Sequence, residues 1–257
     1  MRNLSSLITV LVLAFATTVA VGCATTGEDV VADTDSSSTA AGKFDLWQSA
    51  DGWHFHLKAG NGTILLASES YSSRTAALNG VLAVETNGVD NAQYKIVQGA
   101  SGGYLLHLVA GNNEIISFSQ LYSSKPNATR AITSCVKGVT TYLDKVEANT
   151  TGARIQIDQG TSGQFRFNLF AQNGQVVLSS QSYATAAAAW NGAFAVQDAA
   201  LLETSFAVLV ATDGRFYFTL SAQNGQNVGV SQMYSTVESA RSGIASVTST
   251  LAKLALI

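Results

Sequence analysis

Apolar and polar residues alternate along four short segments of the chain, and each segment is followed by a polar turn that contains Asn. Period-two alternation predicts a strand with one face against a core. A further short apolar segment follows each turn, at 64–67, 115–118, 176–179 and 228–230. Asn-Gly in such a turn predicts a hairpin, because both residues tolerate a positive φ. The alternating apolar positions are Trp53, Phe55, Leu57, Tyr104, Leu106, Leu108, Phe165, Phe167, Leu169, Phe216, Phe218 and Leu220.

Each hairpin is preceded by a short predicted strand, such as 44–46 or 206–208, and followed by a predicted helix. Small and apolar residues after the hairpin have the spacing i, i+3, i+4 and i+7, which forms one helical stripe. Ser235 and Glu238 have capping-box spacing before the last helix. Ser72 or Ser73, and Ser123 or Ser124, offer caps at matching places. The stripe residues are Ala77, Gly80, Val81 and Val84, and again Ala240, Gly243, Ile244 and Val247.

Four markers recur along the chain in one register, at intervals of 51, 61 and 51 residues. They are an Ala, an Asn two residues later, a Ser and a Tyr three residues after that Ser. Four independent markers in one register predict four copies of one strand-strand-strand-helix unit. The Asn and Tyr members are Asn61, Tyr71, Asn112, Tyr122, Asn173, Tyr183, Asn224 and Tyr234.

The longer interval between copies two and three indicates a domain boundary. Apolar segments at 139–146 and 251–257 begin at the same distance after Tyr122 and Tyr234. We interpret each as a closing strand for one pair of copies. This interpretation predicts two domains, 43–148 and 153–257, joined at 149–152.

The repeated pattern resembles the YegP-like repeat, a bacterial domain of unknown function usually found in tandem pairs. The segments that carry the resemblance read LKAGNGTILLASESY (57–71), LFAQNGQVVLSSQSY (169–183) and LSAQNGQNVGVSQMY (220–234). Copy two departs from the pattern with Asn113 in place of Gly. The resemblance implies an α+β fold of β-β-β-α(-β) units, in which two units share one antiparallel sheet by exchanging their last strands, with helices on one face. It brings no established activity.

The N-terminus has the pattern of an export signal. A short basic start precedes an apolar run at 7–20, and small residues lead to Cys23. The pattern predicts a signal peptide at 1–22, and its end resembles the lipobox at which a bacterial lipoprotein cysteine is acylated. Ala24 after that cysteine favours the outer membrane by resemblance to the sorting pattern. Residues 23–42 are then the lipidated Cys23 and a flexible tether. The tether is expected to be flexible because it holds four acids, no base and no aromatic residue.

Composition excludes one large class of partner. Charged residues make up 12% of the chain, the formal net charge is −3, and no basic cluster occurs. Nucleic acid is therefore not an expected partner. No cofactor is expected either.

Three histidines are the candidate metal ligands. His54 and His56 lie on one face of the second predicted strand, and His107 has the same repeat position as His56. Neutral imidazoles suit zinc or copper, so paired copies could form a metal site. A solvated sheet face is the alternative.

Other motifs favour structural roles. Gly99, Ser101 and Gly103 match the Gly-x-Ser-x-Gly pattern of a hydrolase, but they fall between two predicted strands rather than between a strand and a helix. Cys135 has the place of a valine in the helical stripe, so it is predicted to be a buried hydrophobe. The Ser-x-x-Tyr marker is predicted to hold the corner between strand and helix, with a repeated ligand site as the alternative.

The sheet face opposite the helices is the predicted functional surface. It carries mixed polar and apolar side chains, so we expect it to pack on another such face or on a partner protein. We therefore expect a non-enzymatic, lipid-anchored envelope protein that serves as a binding or structural module. The alternative is a carrier of a small ligand or metal on the outward faces. The predicted face residues are His54, His56, Lys58, Leu105, His107, Val109, Arg166, Asn168, Phe170, Tyr217, Thr219 and Ser221.

Overall fold

A computed structural model describes residues 9–11, 42–148 and 151–255. The chain divides between Lys145 and Val146 into two compact units, of which the second also includes residues 9–11. The elements are β1 (Thr9–Leu11), β2 (Lys43–Ser49), β3 (Gly52–Lys58), β4 (Ile64–Ala67), α1 (Arg74–Asn87), β5 (Tyr94–Gln98), β6 (Tyr104–Val109), β7 (Ile115–Phe118), α2 (Lys125–Ala148), β8 (Arg154–Gln159), β9 (Phe165–Phe170), β10 (Val176–Ser179), α3 (Ala186–Ala199), β11 (Phe206–Val210), β12 (Phe216–Ser221), β13 (Asn227–Val230) and α4 (Val237–Ala255).

The first unit is one antiparallel sheet in the order β2-β3-β4-β7-β6-β5. Each repeat supplies a three-stranded meander, and the two meanders join where Ala67 on β4 pairs with Phe118 on β7. The alternating residues Phe55, Leu57 and Leu106 are fully buried beneath the helices. The predicted α+β fold, with helices on one face of an antiparallel sheet, is confirmed.

The second unit repeats this plan in the order β1-β8-β9-β10-β13-β12-β11. Its meanders join through Ser179 on β10 and Val230 on β13. The short strand β1 pairs with β8, with Val10 opposite Gln156. This strand lies within the segment predicted as a signal peptide.

The predicted closing strands are wrong, and so is the exchange of last strands between units. Residues 139–146 continue α2, and 251–255 continue α4; 256–257 lie outside the described residues. Val139, Tyr142 and Val146 are buried at i, i+3 and i+7, so the apolar run is a helical stripe rather than a strand.

The C-terminal half of α2 joins the two repeats instead. The Tyr142 ring meets the Phe44 ring of the first repeat edge-on, with centroids 4.9 Å apart. The Thr141 hydroxyl accepts a hydrogen bond of 3.1 Å from the Gly42 backbone N–H. Because α2 belongs to the second repeat and these partners belong to the first, helix packing reinforces the single strand pairing between the meanders.

The Asn-Gly turns differ from the expectation in one detail. Only the second residue has a positive φ, for example 89° at Gly62. Asn61 acts through its side chain, whose Oδ1 accepts a hydrogen bond of 3.0 Å from the Thr63 N–H. In copy two, Asn113 has a φ of 65° and is the one non-glycine residue with a positive φ in the described chain. Asn tolerates this conformation better than other side chains, so the turn survives without Gly.

The Ser-x-x-Tyr marker holds the corner between strand and helix, as predicted. The Ser68 hydroxyl accepts a hydrogen bond from the Phe55 N–H (2.9 Å) and donates one to the Glu69 carbonyl (2.8 Å). Tyr71 then exchanges two backbone hydrogen bonds of 2.8 Å with Trp53. The same contacts recur at Ser119 with Tyr122, Ser180 with Tyr183 and Ser231 with Tyr234.

The tyrosine ring fills the space between strand and helix in three of the copies. In copy three it stacks on the Phe167 ring with centroids 6.3 Å apart. A Cβ built on Gly192 of α3 would overlap the Tyr183 hydroxyl and lie 2.6 Å from its Cζ. Gly80 and Gly243 meet Tyr71 and Tyr234 in the same way. The glycines in the helical stripe are therefore required by contact with the ring.

Copy two fills the same space with a different pair of residues, one on the helix and one on the strand. Ala131 has the helix position of the glycines, and Leu106 has the strand position of the phenylalanines. Both residues are buried. A larger helix residue thus accompanies a smaller strand residue, which conserves the volume beneath the helix.

The helix of copy four begins one residue later than the capping-box spacing suggests. The Thr236 hydroxyl accepts a hydrogen bond of 3.1 Å from the Ser239 N–H, so Thr236 rather than Ser235 is the cap. Ser73 and Thr185 cap α1 and α3 through bonds of 3.1 Å. The predicted Ser235–Glu238 capping box is wrong because Glu238 is the second helical residue, not the third.

The two units differ at a buried polar position on the first helix of each unit. Glu85 on α1 is buried near the Tyr142 hydroxyl, and burial raises the pKa of Glu85 to about 8. In the second unit the corresponding residues are Gln197 and Leu254, which are both buried as well. A titrating carboxyl group in the first unit thus has a neutral amide as its counterpart in the second.

We predict that Gly192→Ala lowers the free energy of unfolding by about 1–3 kcal/mol, because the added methyl group overlaps the Tyr183 ring. The better helix propensity of Ala offsets about 1 kcal/mol of that loss. Adding Phe167→Leu, which copies the Leu106 and Ala131 pair, is expected to recover part of it. A double-mutant cycle measured by urea unfolding checks the coupling, and strictly additive effects would contradict it.

We predict that Glu85→Gln flattens the pH dependence of stability. Between the unfolded pKa of about 4.5 and the folded pKa of about 8, the folded state keeps a proton that the unfolded state has lost. The free energy of unfolding therefore falls as pH rises through that window, by up to about 1.4 kcal/mol per pH unit. Urea unfolding from pH 5 to pH 8.5, at about half-unit steps, measures this slope.

The matched control for that experiment is Gln197→Glu, which places a carboxyl group at the buried position of the second unit that corresponds to Glu85. This variant is expected to add a falling slope over the same pH range. Parallel stability curves for wild type and Glu85→Gln would show that Glu85 titrates normally.

Candidate binding surface on the outer sheet faces

The outer face of each sheet is the side opposite the helices. One row of cross-strand neighbours runs across the first outer face from β2 to β5, as fixed by the strand register. Its members are Asp45, His56, Ala67, Phe118, His107 and Lys95.

Trp47, His54 and His56 form an aromatic cluster at the β2 end of this face. The Trp47 ring stacks on the His54 ring at 5.5 Å and lies against the His56 ring at 4.4 Å, measured between centroids. Trp47 is 36% exposed. A partly exposed indole beside two imidazoles offers a flat surface for a ring or an apolar side chain.

Charged groups surround this aromatic cluster. Asp45 forms ion pairs with Lys58 and, at 3.7 Å, with Lys43. The Asp51 carboxylate lies 3.1 Å from His54 Nε2. Hydrogen bonds from Ser49 first, and then from His54, lower the pKa of Asp51.

His56 is neutral at physiological pH. Burial lowers its pKa to about 4, Lys58 adds to the effect, and Asp45 opposes it. Because the folded pKa lies below the ordinary value of 6.5, the stability that depends on neutral His56 is lost as pH falls from about 6.5 to about 4.

The structure does not bring the three predicted metal ligands together. Strands β4 and β7 lie between His56 and His107. Three strand spacings of about 4.8 Å separate these residues by about 14 Å, too far for one ion. Among the described residues, no group of three or more His, Cys, Asp or Glu side chains is placed to hold a metal ion.

The outer face of the second unit is a polar network rather than an aromatic cluster. Gln156 donates a hydrogen bond of 2.8 Å to Asp158, and Ser179 donates one of 2.7 Å to Asn168. By register, Asp158, Arg166 and Asn168 have the places of Trp47, His54 and His56. Among the described residues, the aromatic cluster therefore belongs to the first unit alone.

The apolar residues predicted on the outer faces are mostly half-buried. Leu105, Phe170 and Tyr217 are partly exposed, and Val109 is buried. The Arg154 guanidinium carbon lies 3.8 Å from the centroid of the Phe170 ring, which it covers. These contacts leave Trp47 as the more open aromatic surface.

The other candidate reactive residues, Ser101 and Cys135, lie in structural positions. Ser101 lies in the turn between β5 and β6, where the Gly99 N–H donates to the Gly103 carbonyl at 2.8 Å. Cys135 is fully buried, and burial raises the pKa of its thiol to about 12. The prediction that Cys135 is a buried hydrophobe is confirmed.

Sequence reasoning missed Trp47 because it ended the first strand at 46. The alternation of Lys43, Asp45 and Trp47 continues the outward face to Ser49, and this was the available signal. Cys23 lies outside the described residues. No described helix is both long enough and apolar enough to span a bilayer.

Known proteins match parts of this chain. The sequence profile of a family described as Domain of unknown function (DUF1508) matches residues 48–94, 100–141, 161–204 and 211–255. UPF0339 protein PM0519 of Pasteurella multocida is 50% identical over 86 residues, which span 34% of this chain and 75% of that protein. UPF0339 protein YegP of Yersinia pestis is 42% identical over 92 residues, 36% of this chain and 82% of that protein.

The chain is also similar to a solved structure. The solution NMR structure of yegP from E. coli, a protein of unknown function, is 35% identical and covers 39% of this chain and 88% of that one, with a TM-score of 0.37. About a third of this chain thus suffices to span most of each of these relatives. The chain belongs to the DUF1508 family and carries four copies of its domain.

Proposed function

We propose that this protein is a lipid-anchored component of the bacterial cell envelope that acts as a non-enzymatic binding module. The aromatic cluster of Trp47, His54 and His56 is its contact surface, and a partner protein of the envelope is its ligand. The observation that carries the proposal is the partly exposed Trp47 ring, held against both imidazoles on the face that no described helix covers.

The anchoring part rests on the N-terminal sequence. A basic start, an apolar run at 7–20 and small residues before Cys23 together resemble a lipoprotein signal. Each CH₂ group of an acyl chain that enters a bilayer contributes about 0.8 kcal/mol, so several chains on one cysteine would hold the protein at a membrane. The outer membrane is the proposed location, from the Ala24 that follows Cys23.

The binding part rests on the difference between the two outer faces. Side chains of the second face hydrogen-bond one another, and its Phe170 ring is covered by Arg154. On the first face Trp47 is 36% exposed and is held by stacking. Aromatic residues fixed in one orientation are the usual anchors of protein–protein contacts, because little conformational entropy is lost on binding.

The proposal that the protein acts without catalysis rests on the positions of its reactive side chains. The Ser101 hydroxyl lies in a hairpin turn, the Cys135 thiol is buried, and His56 is paired with aromatic and charged neighbours. These groups lie on different elements and do not form a nucleophile with an adjacent base.

We predict that proximity labelling from the full chain in intact cells marks a short set of envelope proteins. Cys23→Ala, which cannot be acylated at this position, is expected to lose that set. Trp47→Ala in the anchored protein is expected to lose one member while the general envelope background persists, because only the specific contact is removed. Mass spectrometry of the labelled proteins provides the measurement.

The matched control is Asp158→Ala, which truncates the residue that has the place of Trp47 in the second unit. It should leave the labelled set unchanged. Equal labelling by wild type and Trp47→Ala would contradict the contact surface, whereas equal labelling by wild type and Cys23→Ala would contradict the anchor.

The second candidate function is a carrier of a small ligand or metal ion on the same face. Neutral His56 beside His54 favours it, because a deprotonated imidazole is the form that binds metal. In that case the full chain is expected to release heat on titration with Zn²⁺ at neutral pH, and His56→Ala to abolish the signal. Calorimetry that shows no heat with wild type would remove the metal-carrier reading.

A further inference from the structure

The edge of the second sheet carries an exposed apolar strand. Strand β11 is the last member of that sheet, and no described strand lies beyond it. Its sequence is FAVLV, without a charge or a polar side chain. Leu209 is 39% and Val210 is 65% exposed. Just before the strand, Leu201 and Leu202 are 74% and 46% exposed.

The first unit protects the corresponding edge. Strand β5 carries Lys95 and Gln98 where β11 carries Ala207 and Val210. A lysine on an edge strand discourages pairing with another chain, because pairing would bring neighbouring side chains against the charge and remove part of its water. The two edges have the same backbone plan, so the side chains alone distinguish them.

The residues just before the two edge strands also differ, and again the second unit has the more apolar residue. Asp90 caps the short turn before β5 through a hydrogen bond of 2.9 Å from the Ala92 N–H to its carboxylate. Leu202 has the same place before β11, and its side chain forms no such bond. The second unit thus has an exposed leucine at the place where the first unit has a capping carboxylate.

The backbone of β11 presents unused hydrogen-bonding groups. The Ala211 N–H donates to the Arg215 carbonyl at 2.7 Å, and the register places Leu209 opposite Tyr217. Because bonded and non-bonded pairs alternate in an antiparallel ladder, Leu209 and Ala207 bond to β12, while Val208 and Val210 direct their N–H and C=O groups outward. These groups can form hydrogen bonds with an added extended strand.

We propose that two copies of this protein pair through β11, in antiparallel orientation about a two-fold axis at Val208. This pairing places Phe206 opposite Val210 and Ala207 opposite Leu209 of the second copy. Every cross-strand pair is then apolar, and each outer-face pair combines a small with a large side chain. The contact is isologous and closes with two copies, and one sheet continues across both.

A second copy fits this edge because the strand is complementary to itself. The end of β11 at Phe206, which Leu201 and Leu202 precede, meets the end at Val210 of the other copy, where the most exposed residue of the strand lies. On β5 the same operation would bring two Lys95 side chains toward one seam. The proposal uses a sheet edge and is independent of the outer-face contact proposed above.

Cysteine cross-linking of the full chain tests the pairing. Val208→Cys lies on the two-fold axis, where directly opposed Cβ atoms are about 5 Å apart. The background carries Cys23→Ser and Cys135→Val, since the other three repeats have valine at the place of Cys135. Mild oxidation or a short thiol cross-linker is expected to give a covalent dimer. Ile96→Cys, which has the same register on β5, is the matched control and is expected to stay monomeric.

Light scattering over a wide range of protein concentration measures the equilibrium in the same background without an added cysteine. Ala207→Lys with Val210→Gln, the residues of the protected edge, should raise the dissociation constant about tenfold or more. Both positions are exposed, so the variant should fold, and circular dichroism checks this. Ala245→Lys adds the same charge on the exposed side of α4 and should leave the dimer intact.

Two results would overturn the proposal. One is a protein that stays monomeric at all concentrations, even if a foreign extended peptide binds β11. The other is a dimer that survives Ala207→Lys with Val210→Gln and gives no Val208→Cys cross-link.

Discussion

In three of the four repeats, a tyrosine ring is clamped between strand and helix. The ring lies on a strand phenylalanine on one side and directly on a helix glycine on the other. Its backbone forms two hydrogen bonds to the second strand, and the serine three residues earlier ties the corner to the same strand. A helix can approach the sheet this closely only where it lacks a Cβ, so the markers of the repeat describe one contact.

Pairs of repeats need a further contact, because the meanders meet through short strands at the centre of each sheet. Helix α2 supplies it by extending over strands of the preceding repeat, with Tyr142 against Phe44. The centres of the two sheets are also packed differently. Leu178 lies against Gly229 in the second unit, whereas Leu66 and Ser117 have these places in the first. A large residue beside a small one lets two similar strands lie side by side without overlap.

The repeat, the strands, the helical stripe and the α+β class could be predicted from the sequence, because periodicity records which side of each element is buried. The ends of the long helices could not. Residues 139–146 contain Val, Thr and Tyr, which favour strands locally, and the buried ring of Phe44 that stabilises them as helix is distant in sequence. The separation of His56 from His107 also depended on strand order, which places β4 and β7 between them. The aromatic cluster was predictable in part, since the alternation puts Trp47 on the face of His54.

The pairing of Ala131 with Leu106 has a consequence for how such repeats can evolve. In the other three copies glycine accompanies phenylalanine at these positions, so neither residue can change alone without a void or an overlap. Gene conversion between repeats that copied a helix but not its strand would join alanine to phenylalanine. Recombination is therefore expected to leave intact repeats only when its breakpoints fall outside the interval from the second strand to the helix.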